Sequence, residues 1–405
     1  MKTNLMFAAA ISAVAMMAVS CGSSSTEEKA KPAPVIWNMA GIDAKAQKIQ
    51  AGETSEFFEN MKKEADEILT TPDPTVVEKP HAPVSGDIHD YMSLSRYWWP
   101  DPDSPDGLPY IRHDGLSNPE LNQYDRHRLG ELGSSVQTLA LVYYVSGEQK
   151  YADKAISRLR TWFVNPETRM NPNLKFAQIR KGQHGDNGYR TGLLDGYSFV
   201  NMLDAVALLE RKEALPQTLI DSMQMWFGEL SEWMLTSQLG IDEGNSDNNH
   251  AVAYDAQVIR YAMYGGRDSV ARAVINAFPA RRLDTQVTED GRQPVELART
   301  NAFGYTNFNI GHMLDISDMA KAMGIDLYPA SNRAIERAID WMLPFTTNRD
   351  AFEYQQIGNW DSARHTFARN CLRASKYGKT EEYKAYYEAQ KSNPESATFE
   401  FLYVE

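Results

Sequence analysis

The 405-residue chain has only two cysteines, Cys21 and Cys371, which excludes a disulfide scaffold and any zinc or iron–sulfur site built from cysteine. Positive charge is in deficit as well. Lys and Arg number 41 against 54 Asp and Glu, and the net charge of −13 argues against broad, non-specific binding to nucleic acid. No HExxH, P-loop or GxSxG pattern occurs, so the standard metal, phosphate and serine-nucleophile motifs are missing, and neither metal nor cofactor is expected. Alternating strand patterns are scarce, and no strand–glycine loop–helix signature is present. What is there is apolar and aromatic. The apolar share of 42% suffices for a substantial core, and 11% aromatic residues exclude disorder across most of the chain.

Residues 1–20 begin with a lone basic residue, Lys2, and carry an apolar run from Leu5 to Val19 broken only by Ser12. The run is short for a membrane span and ends in small residues, as a secretory signal does. Cys21 follows at once, then Gly22 and a polar tract. This arrangement resembles a bacterial lipoprotein signal. The resemblance implies that Cys21 becomes the lipidated first residue, an outer-membrane lipid anchor on a periplasmic or outer-membrane-associated protein. An ordinary signal peptide with an incidental cysteine is the alternative. Removing residues 1–20 takes one positive charge, Lys2, from −13 and leaves −14. Residues 21–35 read as a flexible tether and residues 36–405 as one domain, expected to be monomeric. Cys371, left without a partner, reads as a small core residue.

Helix-period segments recur through the domain. In 151–163, Ala152, Ala155, Ile156, Leu159 and Trp162 follow the spacing of a half-buried helix, and 129–146 is apolar on several sides, as an inner helix is. Similar patterns lie near 55–69, 192–211, 216–237, 249–264, 268–278, 306–323, 330–345 and 380–391. Roughly a dozen helices in antiparallel pairs without a fixed repeat predict an all-α fold, an α/α toroid or incomplete α/α barrel.

The departures from helical spacing carry the functional signal. Residues 72–127 form a long stretch rich in Pro, Asp, Gly and aromatics, including Tyr97, Trp98 and Trp99. Such a loop inside a compact domain is functional or disordered, and its aromatics argue for function. Aromatic faces suit sugar rings, so Trp98 and Trp99 are candidate substrate contacts, although one of the pair is expected to pin the loop to the body. Residues 181–192 crowd Gln183, His184, Asn187, Tyr189 and Arg190 into a glycine-punctuated loop, where subsite and loop architecture are equally open. In 243–257 a polar turn enters an apolar helix, with Asp247 or Asn248 as N-cap and His250 in the first turn. In 296–312, a helix from Tyr305 would put Tyr305, Asn309 and His312 on one face, with a break at Gly304 letting Arg299 point inward too.

A set of Asn, His, Arg and Tyr suits proton abstraction next to a carboxylate. Removing the C5 proton of a uronate loads charge onto an ionised carboxylate, and donors from Asn, Arg or protonated His offset it. A Tyr or His then takes the proton and a Tyr hydroxyl protonates the departing glycosidic oxygen, giving β-elimination without metal or water.

The segment YWWPDPDSPDGLPYIR (97–112), the triplet NNH (248–250) and the Arg/Tyr segment (296–305) together resemble the alginate lyase domain. The similarity is greatest to polysaccharide lyase family 38 and more distant to family 5, and it spans roughly residues 80 to 370. It implies an α/α toroid whose cleft takes an anionic polysaccharide, either alginate or glucuronan. By motif, Asn249 and His250 would contact the uronate carboxylate, with Asn248 beside them and His250 a base for one epimer. Arg299 would neutralise charge and lower the pKa of Tyr305, the acid and, in syn elimination, the base. The Arg–Tyr spacing is six residues here against seven expected in family 5. Two other functions stay open at this level. A glycoside hydrolase would need two carboxylates from Glu296, Asp247 and Asp195, and a non-catalytic glycan-binding lipoprotein would have no use for Arg299 and Tyr305.

Overall fold

Apolar faces repeating at helical spacing, with almost no strand alternation, leave the chain one way to bury its core, namely helix against helix. The computed structural model describes residues 32–113, 116–390 and 397–404. The signal segment, Cys21 and the tether up to residue 31 lie outside the described residues. The helices are α1 (Met39–Gln50), α2 (Glu56–Leu69), α3 (Asp125–Ser146), α4 (Gln149–Phe163), α5 (Ser198–Arg211), α6 (Gln217–Thr236), α7 (Gln238–Gly244) and α8 (Asn249–Tyr264). They continue with α9 (Asp268–Phe278), α10 (Pro294–Leu297), α11 (Ala302–Ala322), α12 (Ala330–Met342), α13 (Trp360–Ala374), α14 (Thr380–Gln390) and α15 (Ala397–Tyr403). Consecutive helices pack in pairs, α2 on α3, α3 on α4 and α8 on α9, while the long inner helices also meet across the pairs, α3 against α5 and α8 against both α6 and α11. The architecture is the expected α/α toroid.

Inner and outer helices differ as their sequences require. Helix α8 is buried along nearly its whole length from Ala251 to Ala262, whereas α9 buries only Val270, Ala271, Val274, Ile275 and Phe278, one face at helical spacing. Helix α3 is likewise apolar on most sides and stops at Gly147, whose φ of 70° is open to glycine at little cost. Cys371 lies fully buried in α13, where burial pushes its thiol up, an inert core residue as its isolation suggested.

Two buried carboxylates tie the irregular segments to this frame. Asp204 on α5 accepts the main-chain N–H groups of Val35, Ile36 and Trp37 at 2.9, 2.8 and 3.0 Å and is balanced by Arg260 at 2.8 Å. Val35, at the end of the predicted tether, is therefore already held by the domain. Asp125 opens α3, accepts the N–H of Met92 at 2.8 Å and pairs with Lys79 at 3.1 Å, both side chains fully buried. Lys79 also donates to the carbonyls of Val76 and Ile88. Long-range bonds of this kind give the 72–127 segment order without regular structure. Its few strand residues are β1 (Met92–Leu94), β2 (Trp98–Trp99) and β3 (Ile111–Arg112). β2 pairs antiparallel with β3, placing Trp98 opposite Arg112, and β1 runs parallel to β4 (Phe176–Ile179). The 181–192 loop then folds back on β4. Gly188 and Gly192 allow that approach, since a Cβ on either would lie 2.5 Å from the Ala177 carbonyl oxygen.

Burial outweighs attraction in the Lys79–Asp125 pair, pushing the Asp125 carboxyl up to about 6 and the Lys79 amine down. Removing one partner therefore strands a buried polar group, while removing both charges does not. Lys79→Met is expected to lower the unfolding free energy by about 3–5 kcal/mol, and Lys79→Met/Asp125→Asn to regain part of that loss. Denaturant titration of the three proteins measures both quantities, and a double variant as unstable as the single one would refute the account.

Candidate functional site

The site begins at the entrance of α8. Asn248 caps the helix, its side chain accepting from the His250 N–H at 3.2 Å, so His250 stands in the first turn as the sequence predicts. Asn249 is 1% exposed, and a buried carboxylate holds it twice. Its main-chain N–H reaches Glu296 Oε1 at 2.6 Å and its Nδ2 reaches Oε2 at 2.7 Å. Burial raises the Glu296 carboxyl, against these two bonds and the nearby Arg299 and His250, which lower it. Asn249 keeps a second Nδ2 hydrogen.

A second buried carboxylate faces His250. Glu243, at the end of α7, lies 2.6 Å from His250 Nδ1, with a side chain 1% exposed. Its other oxygen accepts from Arg190 Nη1 at 2.6 Å, and Ser246 donates to it at 3.3 Å while bonding Arg190 in turn. A carboxylate at Nδ1 favours the tautomer with the proton there, leaving the Nε2 lone pair unclaimed by Glu243. His312 lies close enough to His250 for the two rings to influence each other. The His312 ring packs 4.3 Å from Tyr197 and 4.2 Å from Phe308, and Asp315 lies 3.8 Å from its Nδ1. Asp315 is itself held by Arg373 at 2.6 Å and by the Tyr197 hydroxyl.

Arg299 and Tyr305 meet as the sequence suggests, with the guanidinium carbon 3.9 Å from the centre of the tyrosine ring, but by a different route. Helix α11 starts at Ala302, so Gly304 lies inside it and is not a break. The chain turns between Leu297 and Ala302 instead, where Asn301 pairs with Gln356. Glycine at 304 serves the packing, since a Cβ there would stand 2.6 Å from the Asn301 amide. Of the expected inward face, His312 and Asn309 are buried, and Asn309 binds Gln286 and Gln293 at 2.9 and 2.8 Å.

The 181–192 loop divides its residues between duties. Gln183 donates to the Tyr110 carbonyl at 2.6 Å, and Asn187 closes its own turn on the His184 carbonyl at 3.1 Å. His184 is exposed, its ring 5.4 Å from that of Tyr189. Trp99 is the pinning member of its pair, its indole N–H donating to the Leu116 carbonyl at 3.0 Å. Trp98 instead lies against Arg180, whose guanidinium carbon is 4.3 Å from its ring and 3.8 Å from that of Tyr189. The three acids available to a hydrolase do not face one bond. Asp195 is buried and accepts from Tyr91, Ser93 and Gln178, Glu296 is taken up by Asn249, and Asp247 is exposed. Trp360 packs on Phe303 in the core at 4.6 Å, and Arg364 pairs with Asp361.

Residues 75–352 match the family model described as alginate lyase. An alginate lyase structure from Bacteroides ovatus is 38% identical, with a TM-score of 0.87 over 92% of this chain and 100% of that one. Alginate lyase A1-III from Sphingomonas species A1 is 16% identical, with a TM-score of 0.55 over 82% of this chain and 84% of that one. The same A1-III enzyme complexed with a tetrasaccharide shares the fold at a TM-score of 0.59, over 89% and 93% of the two chains. A curated alginate lyase from Pseudomonas syringae pv. syringae is 24% identical over 219 residues. That match covers 52% of this chain, and the chain spans about half the length, 53%, of that relative.

Burial lowers the His312 pKa against the pull of Asp315, so His312 stays neutral beside His250. A histidine depressed in the folded state binds its proton more readily when unfolded. Its contribution to stability is present above about pH 6.5 and is lost as the pH falls toward the folded value. Between about pH 7 and pH 5, the wild-type protein is expected to lose more unfolding free energy than His312→Gln. Guanidinium titrations across that range test it, and parallel curves for the two proteins would contradict it.

Proposed function

The chain belongs to the alginate lyase family, and from that membership we propose that it is a polysaccharide lyase cutting alginate by β-elimination. The observation that carries this reading is the contact of Glu243 with His250 Nδ1, which orients the ring at the head of α8 and leaves Nε2 unclaimed by Glu243. In the proposed reaction His250, or Tyr305 for the opposite epimer, takes the C5 proton of the uronate. The electron pair forms the C4–C5 double bond, the C4–O bond breaks, and Tyr305 gives a proton to the departing oxygen. Negative charge grows on the carboxylate during this step. Arg299, stacked on Tyr305, and the remaining amide hydrogen of Asn249 face that charge, and a donor set in advance costs no reorganisation when it develops. Asn248 contributes by capping the helix that presents both residues. The tetrasaccharide held by A1-III, on the same fold, supports a polymer rather than a monosaccharide as substrate. Glucuronan is a second candidate polymer.

The leader supports a place for the activity. A lipid on Cys21 would hold a monomeric enzyme at the outer membrane, where an extracellular or imported polyuronate is met. Labelled palmitate recovered on the wild-type protein and absent from Cys21→Ala supports the anchor, whereas label on neither protein would defeat it.

Incubation with alginate and with glucuronan, followed by the ultraviolet absorbance of the conjugated unsaturated uronate, tests the reaction. Tyr305→Phe is expected to cut the rate by about 10²–10⁴-fold while keeping its thermal midpoint within about 2 °C of wild type. Substantial residual activity in that variant would refute the role of Tyr305. New reducing ends without the absorbance would point to hydrolysis.

A further inference from the structure

Most basic residues of the 72–128 and 181–192 segments already have an acid. Lys181 is paired with Glu120, Arg190 with Glu243, and Arg128 with Glu78 and Asp125, while Arg126 stands 3.6 Å from Asp195. Arg180 differs. Among the described residues no Asp or Glu pairs with it, and the groups acting on it are the Tyr189 side chain and Arg112, another cation. Its two ring contacts hold the guanidinium between Trp98 and Tyr189. Its Nε is buried and has no hydrogen-bond partner.

An uncompensated, half-buried cation is costly, and burial lowers the Arg180 pKa accordingly. Stacking on aromatic faces repays part of that cost but uses only the flat sides of the group. The N–H donors lie in the plane, along the edge, where a carboxylate binds with two parallel bonds. We infer that Arg180, clamped between Trp98 and Tyr189, is a carboxylate-binding residue of the substrate cleft that reads the charge of a uronate unit next to the one being cleaved.

The position fits a neighbouring unit. Tyr189, which stacks on Arg180, is followed in the chain by Arg190, and Arg190 shares Glu243 with His250, so the clamp and the α8 entrance are joined through one ion pair. The role also accounts for the aromatic pair, in which Trp99 anchors the loop while Trp98 holds a charge. Selection would follow from it, since a polymer whose adjacent unit is uncharged forfeits the contact. This inference rests on the lyase reading for the identity of the ligand, although its test does not depend on turnover.

Calorimetric titration with a saturated tetramannuronate, using Tyr305→Phe as the non-cleaving parent, measures the contact. Tyr305→Phe/Arg180→Gln is expected to bind about 10- to 100-fold more weakly than Tyr305→Phe, and Tyr305→Phe/Arg180→Lys to fall between them. A carboxyl-reduced tetrasaccharide should bind the parent and the Gln double variant alike. The Gln variant's thermal midpoint should stay within about 2 °C of its parent's, which separates a lost contact from a collapsed loop. Equal tetramannuronate affinities, the same loss for the carboxyl-reduced sugar, or no binding by either protein would overturn the assignment. A wild-type protein that binds tetramannuronate through Arg180 but makes no unsaturated product would defeat the lyase reading alone.

Discussion

A carboxylate that accepts both the main-chain and the side-chain N–H of one residue fixes that residue's position and turn at once. Glu296 does this to Asn249, and the geometry of the site follows from it. The first N–H groups of a helix have no partner inside it, and a negative group is favoured there by the helix dipole. Glu296 comes from α10, two residues before the turn that carries Arg299, so one clamp sets the spacing between the α8 entrance and the Arg299–Tyr305 pair. His250 then needs only its rotation set, and Glu243 supplies that from α7.

The surrounding charges offset the acids of this clamp. Glu243 is balanced by Arg190 and Glu296 sits near Arg299, while His312 remains uncharged behind His250. Further back, Asp315 and Asp318 are taken up by Arg373. The acidic excess of the chain therefore coexists with buried acids that are paired around the candidate site and with an Arg180 that, among the described residues, no Asp or Glu pairs. Net charge describes the surface as a whole, and local pairing describes the site.

The sequence made the toroid legible because the signal for it is local. Helical spacing in α4, α8 and α9 can be read within a dozen residues, as can the Asn248 cap and the placement of His250. Arg299 and Tyr305 were legible as partners for the same reason, although the break that joins them lies before Ala302 and not at Gly304. The rest depended on contacts that spacing cannot show. Glu243 is 53 residues from Arg190, and Glu296 is 47 from Asn249. Arg180 carried no motif at all, since its distinction is that no Asp or Glu among the described residues pairs with it. A short helix such as α7 was also missed, because seven residues hold too little periodicity to register.

Mass spectrometry of the fragments released from alginate tests the central claim most directly. The account predicts that each cut leaves one fragment with a new end lighter by one water than the corresponding saturated oligomer, with no oxygen taken from labelled water at the cleaved bond. Saturated fragments that carry the solvent label at that bond would contradict it.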